Sequence, residues 1–278
     1  MEIRVADPRV LVFRERATLD KAEGLAWGKK DSAFGTLARL FQRPSEDDYE
    51  LVHREVRYEP FWHVVVSAEA IYDRLRRYTV SIPSAEVKAI TINEVDYDVI
   101  GGQIALDGME HCQSGGHVDV TVNGLDGQTD KALAAYLNNA YQEVAPEAIN
   151  SFAPEGALVL PPTVTASSMV RRAIAGTTGT VDADTILDES LAVERMDLYF
   201  RPIYGFTFRW ISKDRQGTLV FDALKEEFST KGQVYPEFVP EPIDAAALLD
   251  VSAESIHSLL PGDHLFDLKN KPLQPQSE

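Results

Sequence analysis

The densest run of chemistry-bearing residues is Glu110-His111-Cys112-Gln113-Ser114-Gly115-Gly116-His117. Two imidazoles and a thiolate are ligands that Zn²⁺ accepts in a tetrahedral shell, and Glu110 or Asp119 would complete it. The same His111, Cys112 and His117 would serve a cysteine nucleophile, because a nearby imidazole draws a thiol below its ordinary pKa of about 8.5. Either chemistry makes the chain a hydrolase. Spacing argues against both: neighbouring side chains on an extended strand face opposite ways, so His111 and Cys112 converge only if Gly115-Gly116 bends the chain into a loop. A surface turn holding ordinary polar residues, without a cofactor, is therefore preferred, and a zinc or cysteine hydrolase is kept as the alternative.

Two weaker candidates are resolved the same way. Asp182, Asp184, Asp188 and Glu189 supply oxygen ligands for a hard cation, yet they lack the glycine and the terminal glutamate of a calcium loop, so a solvated acidic loop is expected. His63 follows Trp62 on an apolar stretch and reads as a core histidine. No phosphate-binding glycine loop, dinucleotide fingerprint, H-E-x-x-H or G-x-S-x-G occurs. The chain is read as an intracellular, non-catalytic binding or adaptor protein that recognises another protein or serves as a subunit of a larger assembly, not as an enzyme.

The residues that favour binding are aromatic. Tyr58-Glu59-Pro60-Phe61-Trp62-His63-Val64-Val65-Val66 aligns with Phe200-Arg201-Pro202-Ile203-Tyr204-Gly205-Phe206-Thr207-Phe208, and a closing strand follows each copy, at Tyr78 to Ile82 and Thr218 to Asp222. A proline lacks an amide donor, so it belongs at a strand start or a sheet edge. Both copies are expected to be β-hairpins, the first a long one whose arms continue through Ser67 to Arg77. Tyr58, Phe61, Trp62, Tyr78, Tyr204, Phe206, Phe208 and Trp210 then crowd two ribbons, and some rings are expected on an outer face as a platform for another protein.

Around these ribbons, further strands are expected over Arg9 to Arg14, Tyr49 to Tyr58, Val87 to Ile92, Tyr97 to Ile100 and His117 to Val122, with a turn at Asn93-Glu94. Helices are expected behind Asp31-Ser32 through Phe34, Leu37, Leu40 and Phe41 to a stop at Arg43-Pro44, and over Thr129 to Val144, where Leu133, Tyr136, Leu137, Ala140, Tyr141 and Val144 recur at spacings of three and four. Shorter ones are expected over Ser167 to Ala175, Ala245 to Leu249 and Ala253 to Leu260. The fold class is α+β, mainly antiparallel sheets with a few helices, in two related hairpin-containing units. Those units span 1–145 and 163–235, joined by a proline-rich connector at 146–162 and followed by a helical segment and polar tail at 236–278.

Charge limits the partners. With 44 acidic and 27 basic residues the net charge is −17, which repels phosphate backbones and anionic lipid. The basic clusters Arg74, Arg76, Arg77 and Arg171, Arg172 are too short to reverse this. A protein partner is expected, nucleic acid and membrane are not, and self-association is left open. One cysteine cannot form an internal disulfide, no apolar stretch is long enough for a membrane helix, and the first residues lack a secretory pattern, so a cytoplasmic location is expected.

Overall fold

The computed structural model describes residues 1–35, 46–229, 234, 241–258 and 264–268. Leu37, Leu40, Phe41, the stop at Arg43-Pro44 and the tail after Lys269 lie outside the described residues, as do Pro236 and Pro240.

In chain order the elements are β1 (Glu2–Val5), β2 (Arg9–Phe13), α1 (Leu19–Lys29), β3 (Tyr49–Ser81), β4 (Ala89–Ile92), β5 (Val95–Asp98), β6 (Gln103–Asn123), β7 (Tyr141–Val144), β8 (Leu158–Val159) and α2 (Ala166–Thr177). There follow β9 (Thr180–Val181), β10 (Thr185–Trp210), β11 (Arg215–Asp222), β12 (Glu227–Ser229), α3 (Ala245–Leu249), α4 (Ala253–His257) and β13 (Asp267–Leu268). The protein is mixed α and β, with mostly antiparallel sheets. Among the described residues nine strands share one sheet, built around β3, β6 and β10. β3 pairs antiparallel with β10 on one side and with β6 on the other, while the short β1 and β2 join β10 in parallel.

The first expected hairpin is instead one continuous strand. β3 runs unbroken for 33 residues, and the closing partner of its second half is β6, farther along the chain. The reason is visible in Ser67 to Arg77, which contains no Gly, Pro or Asn to make a turn. Its alternation is intact, with Ala68, Ala70 and Tyr72 buried and Glu69 and Ile71 exposed. The second expected hairpin stands: β10 folds back on β11 through a turn at Asp214, which adopts φ 47°. The turn at Asn93-Glu94 also stands, with φ of 50° and 67° matching the twist of β4 and β5.

The helix expected over Thr129 to Val144 does not form. Lys131–Tyr136 makes a 3₁₀ segment that buries Leu133 and Tyr136, and Tyr141–Val144 is β7, paired with the edge of β2. Asn139 caps the Tyr136 carbonyl with both its backbone N–H and its side-chain amide, which removes an acceptor that a continuing helix needs. Before Asp31 stands a helix that sequence reading did not expect, and of the helix expected behind Asp31-Ser32 only the start is described. α1 starts at the Thr18 cap and passes into a 3₁₀ turn over Lys30–Phe34, where Phe34 packs on Tyr49 and Trp210. Gly24 and Gly28 had weakened its helical signature. α2, α3 and α4 lie where short helices are expected, with Thr165, Asp244 and Ser252 as N-caps.

One sheet face is covered along most of its length. α2, α3 and α4 seal Trp62, Val64, Val66, Leu198 and Phe200, and α1 seals Tyr204, Phe206, Phe208 and Trp210. On the opposite face the 3₁₀ segment closes over Leu11, Phe13, Phe61 and Tyr199, and farther along it Glu55, Arg57, Ile203 and Thr207 are buried as well. No described helix is long and apolar enough to cross a membrane.

The C-terminal segment docks on a buried carboxylate. Glu189 Oε1 accepts the amides of Leu265 and Phe266, each at 3.0 Å, and Oε2 lies 2.9 Å from His264 Nδ1. Glu189→Ala leaves two amides without acceptors and is expected to cost about 2 kcal/mol. Hydrogen exchange at Leu265 and Phe266 should rise well before the rest of the sheet opens. Unchanged protection would mean that the burial of Leu265 and Phe266 alone holds the segment.

Candidate functional site

The two proline-led segments lie side by side. In the β3 and β10 register Tyr58 faces Pro202, Glu59 faces Arg201 and Pro60 faces Phe200. Thus the residues that align in sequence are those related by a local two-fold rotation about the Glu59 and Arg201 pair. Their flanks extend the correspondence: β8 runs parallel beside Arg57 and Tyr58, as β2 runs parallel beside Tyr199 and Phe200.

That arrangement corrects the expectation of an aromatic platform. Phe61, Trp62, Tyr204, Phe206, Phe208 and Trp210 are between 0 and 3% exposed, and Tyr58 is 9% exposed. Both sheet faces are covered where these rings stand, so they are core. Phe13, Tyr199 and Phe61 stack at centroid distances of 5.0 and 5.1 Å, and the Trp62 indole donates to the Val164 carbonyl. Of the eight, Tyr78 alone is at the surface, 46% exposed. Glu110 accepts both its hydroxyl and the Arg74 guanidinium; these bonds hold the Glu110 carboxyl below the usual carboxylate range and raise the Tyr78 phenol.

The hydrolase geometry is also absent. His111 and His117 lie on the open face of β6, six residues and so about 20 Å apart. Cys112 points to the other face, against the core beneath α2. No loop forms at Gly115-Gly116; both are strand residues, and Gly116 is required because a Cβ there would stand 2.2 Å from the Thr177 carbonyl oxygen. His111 pairs with Asp73, while Asp119 sits 2.9 Å from Nε2 of His63, which is buried as expected. The acidic run disperses: Asp182 binds Arg76, Asp184 binds the Leu75 amide, and Asp188 bonds the Glu189 amide. Among the described residues no three His, Cys, Asp or Glu side chains come together as a metal-binding group.

The structure instead offers a long backbone edge. Among the described residues β3 is the one strand that pairs with β6, over all 21 of its residues and with no register shift, and isolated bridges to Ile100 and Thr129 sit at its two ends. The Ile82 amide bonds the Gly102 carbonyl and the Gly124 amide bonds the Pro60 carbonyl, which sets the phase of the ladder. Even-numbered residues of β6 therefore bond to β3, and odd-numbered ones from Ala105 to Asp119 direct N–H and C=O outward. The Thr121 carbonyl, next in this outward series, is taken by the Asp130 amide. Edges of this length are normally protected by lysine, proline or a bulge. β6 has none of them; it has Asp107, Glu110 and Asp119 and no lysine or arginine.

Beyond Asp73, where pairing with β10 stops, β3 and β6 continue alone to Ser81 and Gln103 as a two-stranded ribbon carrying β4 and β5 at its tip. Leu75 and Met109 are each 53% exposed on one face of this ribbon. Sequence reading located the His117 to Val122 part of β6 but missed its length, because Ala105, Gly108 and Met109 blur the alternation on the way in. Compared with family models, with curated proteins and with solved structures, the chain matches none of them significantly.

Proposed function

We propose that this chain is a non-catalytic recognition protein that takes an extended segment of a partner protein along the free edge of β6. The observation that carries this reading is the row of outward backbone groups from Ala105 to Asp119. An added strand satisfies such groups, and side-chain pockets beside it set selectivity. The net charge favours a basic segment, with an apolar side chain opposite Met109; Asp107, Glu110 and Asp119 of β6 already face Arg77, Arg74 and His63 of β3. The net charge of −17 supports a protein partner over nucleic acid or anionic membrane and works against pairing of two copies edge to edge. A lone cysteine supports a reducing, cytoplasmic setting. The stretches 1–145 and 163–235 are read as two related units sharing one sheet; the two-fold placement of Pro60 and Pro202 supports their kinship.

The test is fluorescence anisotropy with a labelled peptide of alternating lysine and valine, set against the same peptide interrupted by proline. The peptide is expected to bind saturably, the interrupted one not. Met109→Pro removes one outward amide and no bond to β3, so the fold should persist while affinity falls at least about tenfold. Equal affinity for the variant, or no saturable binding, would sink the reading. Light scattering on the same samples distinguishes strand addition by the peptide from pairing of two chains.

A further inference from the structure

A cleft of about 470 Å³ opens on the helix-covered face of the sheet, between the start of α1 and the loop at Pro154 to Ala157. It lies away from the β6 edge and has no part in the reading above. Its volume is in the range of small-molecule sites. Leu19, Val56 and Ala157 give it an apolar wall, and Glu15, Glu155, Tyr58 and Tyr204 supply the polar groups.

Charge in the cleft is negative and incompletely matched. Glu15 accepts the Tyr204 hydroxyl and has no cationic partner among the described residues. Glu155 is exposed and likewise has none. Glu55 is already engaged by Arg57, and Arg54, the one basic side chain of the lining, is turned to Glu23 at 3.4 Å. A second, independent feature of the cleft is Tyr58, which lines it. It is 9% exposed, its ring packs edge-to-face on Phe152 at 5.1 Å, and its hydroxyl forms no hydrogen bond among the described residues. Glu15 and Tyr58 line the same cleft, and burial, then the charge of Glu15, push the Tyr58 phenol up.

We infer that this cleft binds an alkylammonium group, with the nitrogen between Glu15 and the Tyr58 hydroxyl and the methylene chain along Leu19, Val56 and Ala157. An ammonium carries three N–H donors and no acceptor, which suits a carboxylate, a phenol oxygen and a second carboxylate at Glu155. Its flexible apolar stem suits the wall. Two sources carry this chemistry, a free diamine and the lysine side chain of a protein.

Calorimetric titration of the full chain at low salt tests the inference, using 1,5-diaminopentane in one arm and N-acetyl-lysine methylamide in the other. Saturable binding in either arm is expected, and the tighter arm names the source. 1-Pentanol, with a similar stem and no charge, should not bind. Glu15→Gln should weaken the amine roughly tenfold and Tyr58→Phe several-fold, since a hydrogen bond to a charged group is worth more than a neutral one. Glu15 is exposed and Tyr58→Phe deletes one oxygen, so both variants should melt like the parent; if either does not, Glu155→Gln, on the exposed loop, is the substitute and should weaken binding. Absence of saturable heat in both arms, or an unchanged affinity in Glu15→Gln, overturns the assignment.

Discussion

Above about pH 10 the fold is expected to lose stability by roughly 4–5 kcal/mol per pH unit, a slope set chiefly by the four most strongly raised phenols. Tyr49, Tyr136, Tyr199 and Tyr204 are all raised above the ordinary tyrosine value, in each case first by burial. Neighbouring carboxylates add to it: Asp31 for Tyr49, Asp197 for Tyr199 and Glu15 for Tyr204. At Tyr136 Arg201 opposes the rise and Asp222 supports it. Tyr199 is pushed up to about 12, and the other three go higher.

The sign follows from proton counting. In the unfolded chain these phenols ionise near pH 10, while in the folded protein they keep their protons, so above that pH the unfolded state binds fewer protons and is favoured. Their contribution is complete below about pH 9 and fades as pH climbs toward the folded values. Each phenol adds up to about 1.4 kcal/mol per pH unit. Denaturant melts as a function of pH, read beside tyrosinate absorbance, measure this. Absorbance from these four rings and loss of the fold should arrive together, and Tyr199→Phe should shallow the slope by about a quarter. Reversible ionisation of all the tyrosines near pH 10 with the sheet intact would show that the four rings reach solvent.

Those same rings show where sequence reasoning succeeds and where it stops. Alternation in Tyr58 to Val66 and in Leu198 to Phe208 identifies strands, because a period of two is local information. Whether a ring faces water depends on what lies over it, and the covers of Phe206 and Phe61 come from α1 and from Lys131–Tyr136, elements whose own patterns are weak or misleading. Leu133, Tyr136 and Leu137 recur at helical spacing, yet the neighbouring edge of β2 offers Tyr141–Val144 ladder bonds that outweigh local preference. The β6 edge was partly legible: the absence of lysine and proline between Gln103 and Asn123 can be read directly, but that no described strand pairs with it on its outer side cannot. The Tyr58 cleft was illegible for a similar reason, since Glu15, Tyr58 and Glu155 are far apart in the chain and meet only through pairing of β3 with β10.

Arg201→Met is expected to lower stability by about 2–3 kcal/mol, because it strands half-buried carboxylates at the centre of that pairing. The Arg201 guanidinium bonds Glu59 at 2.6 Å and the Tyr136 hydroxyl at 2.8 Å, and it lies 3.4 Å from Asp222. On the same face Arg57 bonds Glu59 at 2.9 Å and Glu55 at 2.8 Å. Removing Arg201 leaves Glu59 with Arg57 alone, which Glu55 already shares, and leaves Asp222 without a cation at this contact. The methionine fills much of the volume, so the loss is electrostatic. Glu59→Gln in the same chain removes one stranded charge and should recover about 1–3 kcal/mol, a coupling that a double-mutant cycle reads directly. Additive costs would mean that solvent, not Arg201, compensates Glu59. The variant also separates stability from recognition: the network lies at the far end of β3 from the ribbon, so at a temperature where Arg201→Met is still folded its affinity for the lysine and valine peptide should equal that of the parent. A matching fall in both would tie the edge of β6 to the network through the length of β3.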